Sequence, residues 1–209
     1  MLRLVPALRR SLDQVTAHAA TWAERNAAVL AGDGEGPLWV VLGDSTAQGV
    51  GVAHVDEGYV GRVRRLLEAR DGRTWAVLNL SRSGAVLDDV LDVQLPRLRD
   101  LPRAPALVTA VAGGNDLRRR RTTLVQRLPE LVSGLPAGSA VATLPRGLRE
   151  PRAREANALL RRLAAERGLP VVDLWAVTGP PWRGKYAADW FHPNDAGYED
   201  WAGAFIAAL

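Results

Sequence analysis

The chain has 209 residues, of which 47% are hydrophobic and 24% charged, and it contains no cysteine. This balance is typical of a globular protein with a substantial core, and it excludes global disorder, disulfides and thiolate metal sites. The formal net charge of +4 is a small excess, which alone does not indicate a nucleic-acid-binding protein.

The hydrophobic pattern alternates between helix and strand along the chain. Residues 7–30 are predicted to form an amphipathic helix, with Leu12, Val15, Ala19 and Trp22 near helical spacing, and a segment rich in glycine follows. Apolar runs of strand type occupy residues 38–42, 75–80, 106–112, 139–144 and 170–174. Helical patterns occupy residues 59–70, 86–95, 117–132 and 152–167, and a final helix, capped by Asn194 or Asp195, runs to about residue 209.

Apolar strands that alternate with helices predict a parallel sheet covered by helices on both faces. We expect one domain over residues 1–209, in which residues 1–36 form an N-terminal helix and linker. No apolar run reaches the ~18 residues of a membrane span, and no signal-peptide pattern begins the chain. A cytoplasmic location is therefore the expectation.

Glycine and polar residues follow three of the predicted strands. Ser45 follows the first strand, Gly84 the second and Asn115 the third. The loop before the last helix contains Asp189 and His192. Because the carboxyl ends of parallel strands meet at one edge of a sheet, where open α/β folds bind ligands, the strand-end residues are expected to lie close together.

In this order and at these positions, the residues resemble the markers of the SGNH, or GDSL-type, hydrolases. The matching segments are Gly43-Asp44-Ser45, the glycine at position 84, Gly113-Gly114-Asn115-Asp116 and Asp189-x-x-His192. The resemblance runs from about residue 38 to the end of the chain, and the N-terminal helix lies outside its motifs. It implies a three-layer α/β/α sandwich with a five-stranded parallel sheet in flavodoxin-like order. It also implies hydrolysis of a carboxylic ester or thioester without a cofactor.

A serine hydroxyl becomes an effective nucleophile when a base takes its proton. His192 is the plausible base, since His18 and His54 lie outside any catalytic motif. The family resemblance makes Asp189 the residue that orients the imidazole of His192; a three-residue gap in a loop only permits that contact. The expected catalytic residues are thus Ser45, Asp189 and His192.

The carbonyl oxygen of an attacked ester develops negative charge, which preorganised hydrogen-bond donors stabilise. The resemblance implies three donors, namely the backbone N–H groups of Ser45 and Gly84 and the side-chain amide of Asn115. Asp44 and Asp116 are interpreted as structural carboxylates instead, and Arg82 as a solvated cation.

An aromatic cluster precedes and enters the predicted catalytic loop. Its members are Trp182, Tyr186, Trp190 and Phe191. Two interpretations stay open: these side chains line the acyl or alcohol pocket of the substrate site, or they pack against the edge of the sheet.

Alternative functions also stay open. An O-acetyl-sugar deacetylase or an acyltransferase would use the same residues, and a non-catalytic module would bind nucleic acid through Arg118 to Arg121. The preferred interpretation is an esterase that acts on a small acyl ester, with no nucleic-acid partner, since the arginine run is equally typical of a solvated helix face. A metal site is disfavoured because three scattered histidines and no cysteine form no ligand cluster.

Overall fold

The structure of the protein is a computed structural model that describes residues 4–147, 149–181 and 184–209. The strands are β1 Leu38–Leu42, β2 Ala76–Asn79, β3 Leu107–Ala110, β4 Ala140–Ala142 and β5 Val171–Val172. The longer helices are α1 Leu4–Leu30, α2 Tyr59–Asp71, α6 Leu124–Gly134, α7 Glu150–Glu166 and α9 Asp195–Ala208. Short helices are α3 Leu87–Asp89, α4 Leu95–Arg99, α5 Gly114–Arg118 and α8 Leu174–Val177.

The five strands form one parallel sheet in the order β2-β1-β3-β4-β5. This confirms the expected five-stranded parallel sheet and its flavodoxin-like order. All five residues of β1, an interior strand that precedes Ser45, are buried. The ends of β1, β2 and β3 therefore lie side by side at one edge of the sheet.

Helices cover the sheet on both faces and create two apolar layers. In one layer, α6, α7 and the helical segment from α3 to α4 pack against alternate strand residues such as Val40 and Leu42. In the other, α2, α9 and Trp22 of α1 pack against Trp39 and Val41. Alternation of side chains across β1 thus places one set in each layer, as the pleat of a strand requires.

Two helices differ clearly from their predicted limits. The predicted 86–95 helix continues to Arg99 through a π-helical segment, Val90–Gln94, because Pro96 lies in the first turn of α4, where its missing N–H is tolerated. The predicted 117–132 helix is divided into α5 and α6, and Arg120, with φ of 58°, lies in the break. Pro129 lies inside α6 without ending it.

Helix α1 packs on the domain through a face that the apolar pattern did not identify. Trp22 is buried, but Leu12 is 59% exposed and Ala19 is exposed. The buried side carries polar groups instead, which hydrogen-bond to the β1–α2 connection and to β2. No helix in the described ranges is both long enough and apolar enough to cross a membrane.

Candidate active site

The end of β1 is held in place by the side chain of Gln94. The amide oxygen of Gln94 accepts from the Gly43 N–H at 2.8 Å, and its Nε2 donates to the Gly43 carbonyl at 2.9 Å. A Cβ at position 43 would lie 2.7 Å from the Val111 carbonyl oxygen, so only glycine fits here. The π-helical segment that contains Gln94 thereby fixes the backbone immediately before Ser45.

Asp44 is a buried carboxylate that organises the turn around Ser45. Its Oδ1 accepts from the Thr46 N–H at 2.9 Å and from the Thr46 hydroxyl at 2.8 Å. Burial raises the pKa of Asp44, and the hydrogen bonds from Thr46 oppose that rise. These contacts agree with the structural role predicted for Asp44. The carboxylate of Asp116, also predicted to be structural, accepts from the Leu87 N–H.

The loop between α8 and α9 is closed into a compact turn that contains Asp189 and His192. Tyr186 and Pro193 form an antiparallel bridge, and the Ala187 N–H donates to the His192 carbonyl at 2.9 Å. Asn194 caps α9 by accepting from the Gly197 N–H, so of the two predicted caps Asn194 fills this position. The rigid sheet edge and this closed turn face each other.

Ser45, His192 and Asp189 form a continuous hydrogen-bonded chain. The hydroxyl oxygen of Ser45 lies 2.9 Å from Nε2 of His192, although the two residues are 147 positions apart. Nδ1 of His192 lies 2.7 Å from Oδ2 of Asp189. Because the carboxylate can only accept, we assign the proton to Nδ1, which leaves Nε2 to accept from the serine hydroxyl. The imidazole and carboxylate side chains are only 11% and 10% exposed.

The carboxylate of Asp189 receives donors on both oxygens. Its Oδ1 accepts from the backbone N–H groups of Phe191 and His192, at 2.9 and 3.0 Å. Burial by itself would raise the pKa of Asp189, but the hydrogen bond and charge of His192, with these two backbone bonds, hold it well below its usual range. Asp189 is therefore ionised at neutral pH and provides a fixed negative charge behind the imidazole.

The expected oxyanion residue Asn115 contacts the chain next to each of the other two, Ser45 and Gly84. Nδ2 of Asn115 donates to the Ala85 carbonyl at 3.0 Å and lies 3.4 Å from Oδ2 of Asp44, a long contact that leaves its second hydrogen weakly held. Asn115 thus lies between the residues that adjoin Ser45 and Gly84. Among the hydrogen bonds of the described residues, none uses the N–H of Ser45 or of Gly84.

A cleft of about 470 Å³ opens beside this group of residues. Its lining includes Asp44 and Thr46 on either side of Ser45, and Phe191 and Pro193 on either side of His192. Further apolar lining comes from Val111, Leu117, Leu144, Pro145, Tyr186, Trp190 and Trp201. Polar lining comes from Thr143, Arg146 and Glu150, and the cleft adjoins the chain on both sides of Ser45 and of His192.

The described members of the predicted aromatic cluster line the cleft. Tyr186 and Trp190 line the cleft, and Trp190 is 73% exposed at its mouth. Phe191 also lines the cleft and packs edge-on against the His192 ring, with the ring centres 4.9 Å apart. Trp182 lies outside the described residues.

Three of the exposed arginine side chains singled out in the sequence contact other protein groups. Arg82 forms a surface ion pair with Asp89, and its side chain stays 65% exposed to solvent. Arg118 lies over the Phe191 ring, 5.3 Å from its centre, and Arg121 pairs with Asp88. Within the described residues, no group of three or more histidine or carboxylate side chains could hold a metal ion.

Two residues at the site were missed by sequence reasoning. Gln94 lies in a helix that showed only an ordinary apolar pattern, and Ser11 of α1 donates to Asp189 at 2.7 Å. For α1 a signal was present: Ser11, Gln14, His18 and Trp22 follow helical spacing and all hydrogen-bond to the same side of the domain. A polar stripe of that kind indicates a helix face that satisfies backbone groups of a loop.

Comparisons with known proteins agree with this arrangement. The model of the GDSL-like lipase/acylhydrolase family matches residues 41–199. Among similar solved structures, TesA is 26% identical with a TM-score of 0.68, over 82% of this chain and 97% of that chain.

Two further solved structures, below 25% identity, show a shared fold. The Clostridium thermocellum family 3 carbohydrate esterase is 17% identical with a TM-score of 0.70, over 82% of this chain and 94% of that chain. A variant of Axe2, an acetyl xylan esterase from Geobacillus stearothermophilus, is 22% identical with a TM-score of 0.62, over 84% and 95%. No curated protein matches the chain.

Proposed function

The chain belongs to the GDSL-like lipase/acylhydrolase family, and on that premise we propose that it hydrolyses carboxylic esters or thioesters with Ser45 as nucleophile. His192 acts as the base, and Asp189 holds its imidazole in the reactive tautomer. The observation that carries this proposal is the hydrogen-bonded chain from Ser45 through His192 to Asp189, at 2.9 and 2.7 Å.

The reaction proceeds in two halves. The Ser45 oxygen attacks the carbonyl carbon while its proton passes to Nε2 of His192, and the resulting imidazolium is stabilised by Asp189. The tetrahedral intermediate collapses, and the leaving alcohol or thiol takes the proton from Nε2. Water then attacks the acyl-serine and gives its proton to His192, and Ser45 recovers a proton as the carboxylic acid departs.

The negative charge on the carbonyl oxygen is proposed to be held by the N–H groups of Ser45 and Gly84 and the amide of Asn115. Both N–H groups are free of protein acceptors among the described residues, so an oxyanion would displace no existing bond. Each preorganised donor of this kind is typically worth about 3 kcal/mol in the transition state. Gly84, with φ of 78°, also leaves its N–H unobstructed by a Cβ.

The cleft supports a substrate with an apolar portion. Its volume of about 470 Å³ lies within the usual range of small-molecule sites. The cleft combines the ring surfaces of Tyr186, Trp190 and Phe191 with the polar side chains of Arg146 and Glu150. We therefore propose an ester whose apolar acyl portion lies against these rings, with Tyr186 and Trp190 as walls of the pocket, and an acetylated sugar is the alternative that the substrate panel below separates from it.

The proposed mechanism is tested with a serine-reactive fluorophosphonate probe. Wild-type protein should be labelled at Ser45, as mapped by mass spectrometry of the labelled peptide. Ser45→Ala and His192→Ala should each abolish labelling, while Ser83→Ala, a control at another half-buried serine near the site, should still be labelled. Labelling that persists in His192→Ala would refute His192 as the base.

Substrate class is tested with a panel of p-nitrophenyl esters and acetylated sugars. We expect kcat/KM to rise from acetyl to longer acyl chains, and Trp190→Ala to flatten that rise. Preference for acetylated xylo-oligosaccharides would favour the deacetylase alternative. Product transfer to an added alcohol in preference to water would favour the acyltransferase.

A further inference from the structure

Helix α1 precedes the segment matched by the family model, which begins at residue 41, yet one of its side chains contacts the proposed catalytic group. The hydroxyl of Ser11 donates to Oδ2 of Asp189 at 2.7 Å, across 178 positions of sequence. The same oxygen accepts from Nδ1 of His192, also at 2.7 Å. Ser11 and His192 thus share one carboxylate oxygen.

The contact matters because of how the rest of the carboxylate is held. The bonds to Oδ1 come from the backbone of Phe191 and His192, within the same turn as Asp189. Among the described residues, the hydrogen bond from Ser11 is the one that reaches this carboxylate from outside the turn. It therefore ties the orientation of Asp189 to the body of the domain.

From this geometry we propose that Ser11 is a positioning residue, which fixes the Asp189 carboxylate so that it aligns His192 toward Ser45. The inference rests on the proposed function. A neutral hydroxyl suits the task, because it donates to the carboxylate without adding a charge or a second base beside the imidazole.

A second side chain of α1, Gln14, holds the backbone that packs against His192. Gln14 accepts from the Gly51 N–H at 3.1 Å and donates to the Val52 carbonyl at 3.0 Å. Gly51 packs directly against the catalytic loop, since a Cβ at that position would lie 2.2 Å from the Pro193 carbonyl oxygen and 3.0 Å from Cβ of His192. The helix thus contacts Asp189 directly and His192 through one intervening residue.

The C-terminal half of α1 is anchored to the domain by hydrogen bonds of its own. The side chain of Asn26 donates to the Asn79 carbonyl at 2.7 Å and accepts from its N–H at 2.8 Å, covering the edge of β2. Arg25 makes a two-point contact with Asp56, at 2.8 and 2.7 Å. These bonds set the position of the helix along the domain, and with it the position of Ser11.

Ser11→Ala tests the proposal in the full-length chain. Alanine is the better helix former, so the substitution removes the hydroxyl without weakening α1. We expect kcat on a p-nitrophenyl ester to fall roughly tenfold with KM unchanged, which is less than the ~10²-fold loss that a misplacement of about 1 Å can cause. The far-downfield proton resonance of the His192 Nδ1–H should move from its wild-type position. Ser11→Thr, which keeps a hydroxyl, should retain the wild-type kcat and resonance.

Thr16→Val is the matched control, since the Thr16 hydroxyl donates only to the Leu12 carbonyl within α1. It should leave kcat and the resonance unchanged. The proposal is overturned if Ser11→Ala keeps the wild-type kcat, if the resonance does not move, or if Thr16→Val lowers kcat equally. Wild-type protein that hydrolyses no ester would refute the proposed function itself, whereas an active wild type with equal kcat in Ser11→Ala would refute only this inference.

Discussion

Residues 41–199 and helix α1 contribute to one site in different ways. The first region contains each group proposed to act on the substrate, and those groups lie at the ends of β1, β2 and β3 and in the loop before α9. Helix α1 supplies no such group, but it donates to Asp189 and bonds the backbone beside Gly51. One region provides the reactive groups, and the other holds them in place.

The difference follows from how the two regions are connected to the sheet. Ser45, Gly84 and Asn115 each follow a strand, so the sheet itself brings them together. Asp189 and His192 lie in a loop after the last strand, where no ladder of backbone bonds determines their position relative to Ser45. A loop in that situation needs contacts from elsewhere, and α1 supplies them. Three predictions compare the two regions, in order of decreasing effect.

The largest effect is expected in residues 41–199. Asn115→Ala removes a proposed oxyanion donor and should lower kcat by roughly 10²- to 10³-fold. Steady-state kinetics on a p-nitrophenyl ester measure this, with thermal unfolding recorded in parallel because Asn115 also bonds the Ala85 carbonyl. Asn115→Asp, which has the same shape but carries an accepting, charged group, should be no more active than alanine. A folded Asn115→Ala protein with near wild-type kcat would exclude this side chain from the oxyanion site.

A smaller effect is expected where the two regions meet. Gly51 has φ of 113°, and an alanine Cβ would collide with the Pro193 backbone at 2.2 Å. Gly51→Ala should therefore displace His192 and lower kcat by roughly 10- to 100-fold, since displacements near 1 Å have effects of that size. Gly32→Ala is the control: its φ of 97° imposes a similar backbone strain, but the space around it is open. Equal losses of kcat in the two variants would show that packing against His192 is not the cause.

The smallest effect concerns the ion pair that anchors α1. The hydrogen bond from Arg25 lowers the pKa of Asp56, with burial opposing it and the charges of Arg25, Arg64 and Arg65 adding to it. A carboxylate whose pKa is lowered by folding stabilises the folded state at pH values above its ordinary pKa of about 3.9. That stabilisation is lost as pH falls through the lowered pKa of the folded state.

Arg25→Ala should accordingly lower Tm by about 1 to 3 °C at pH 7, which corresponds to the ~0.2–1 kcal/mol typical of an exposed pair. The gap between wild type and variant should narrow as pH falls below about 4 and on through the lowered pKa of Asp56, as followed by circular dichroism. Arg162→Ala, which breaks an ion pair with Glu166 inside α7 alone, is the control and should shift Tm by less. A gap that persists unchanged at pH 3 would contradict this role for Asp56.

Sequence reasoning succeeded where the physical cause was local or periodic. The apolar runs identified all five strands, although β5 contains two residues where five were predicted. It was less successful where tertiary contacts decide the outcome. The apolar stripe of α1 did not mark its buried face, because the loop beneath it presents carbonyl and N–H groups that polar side chains satisfy better. Pro96 did not end the helical segment, because it follows a π-helical turn and lies in the first turn of α4, where its missing N–H is tolerated.

The amino-acid sequence by itself determined the fold class and the kinds of chemical group available, since alternating apolar strands and helices can bury their surfaces in few ways. Only the tertiary structure decided that Ser45 and His192 lie 2.9 Å apart and that Ser11 reaches Asp189. The first pair is separated by 147 positions of sequence and the second by 178, so both contacts depend on how helices and loops pack around the sheet. That packing depends on many side chains together, and no single motif encodes it.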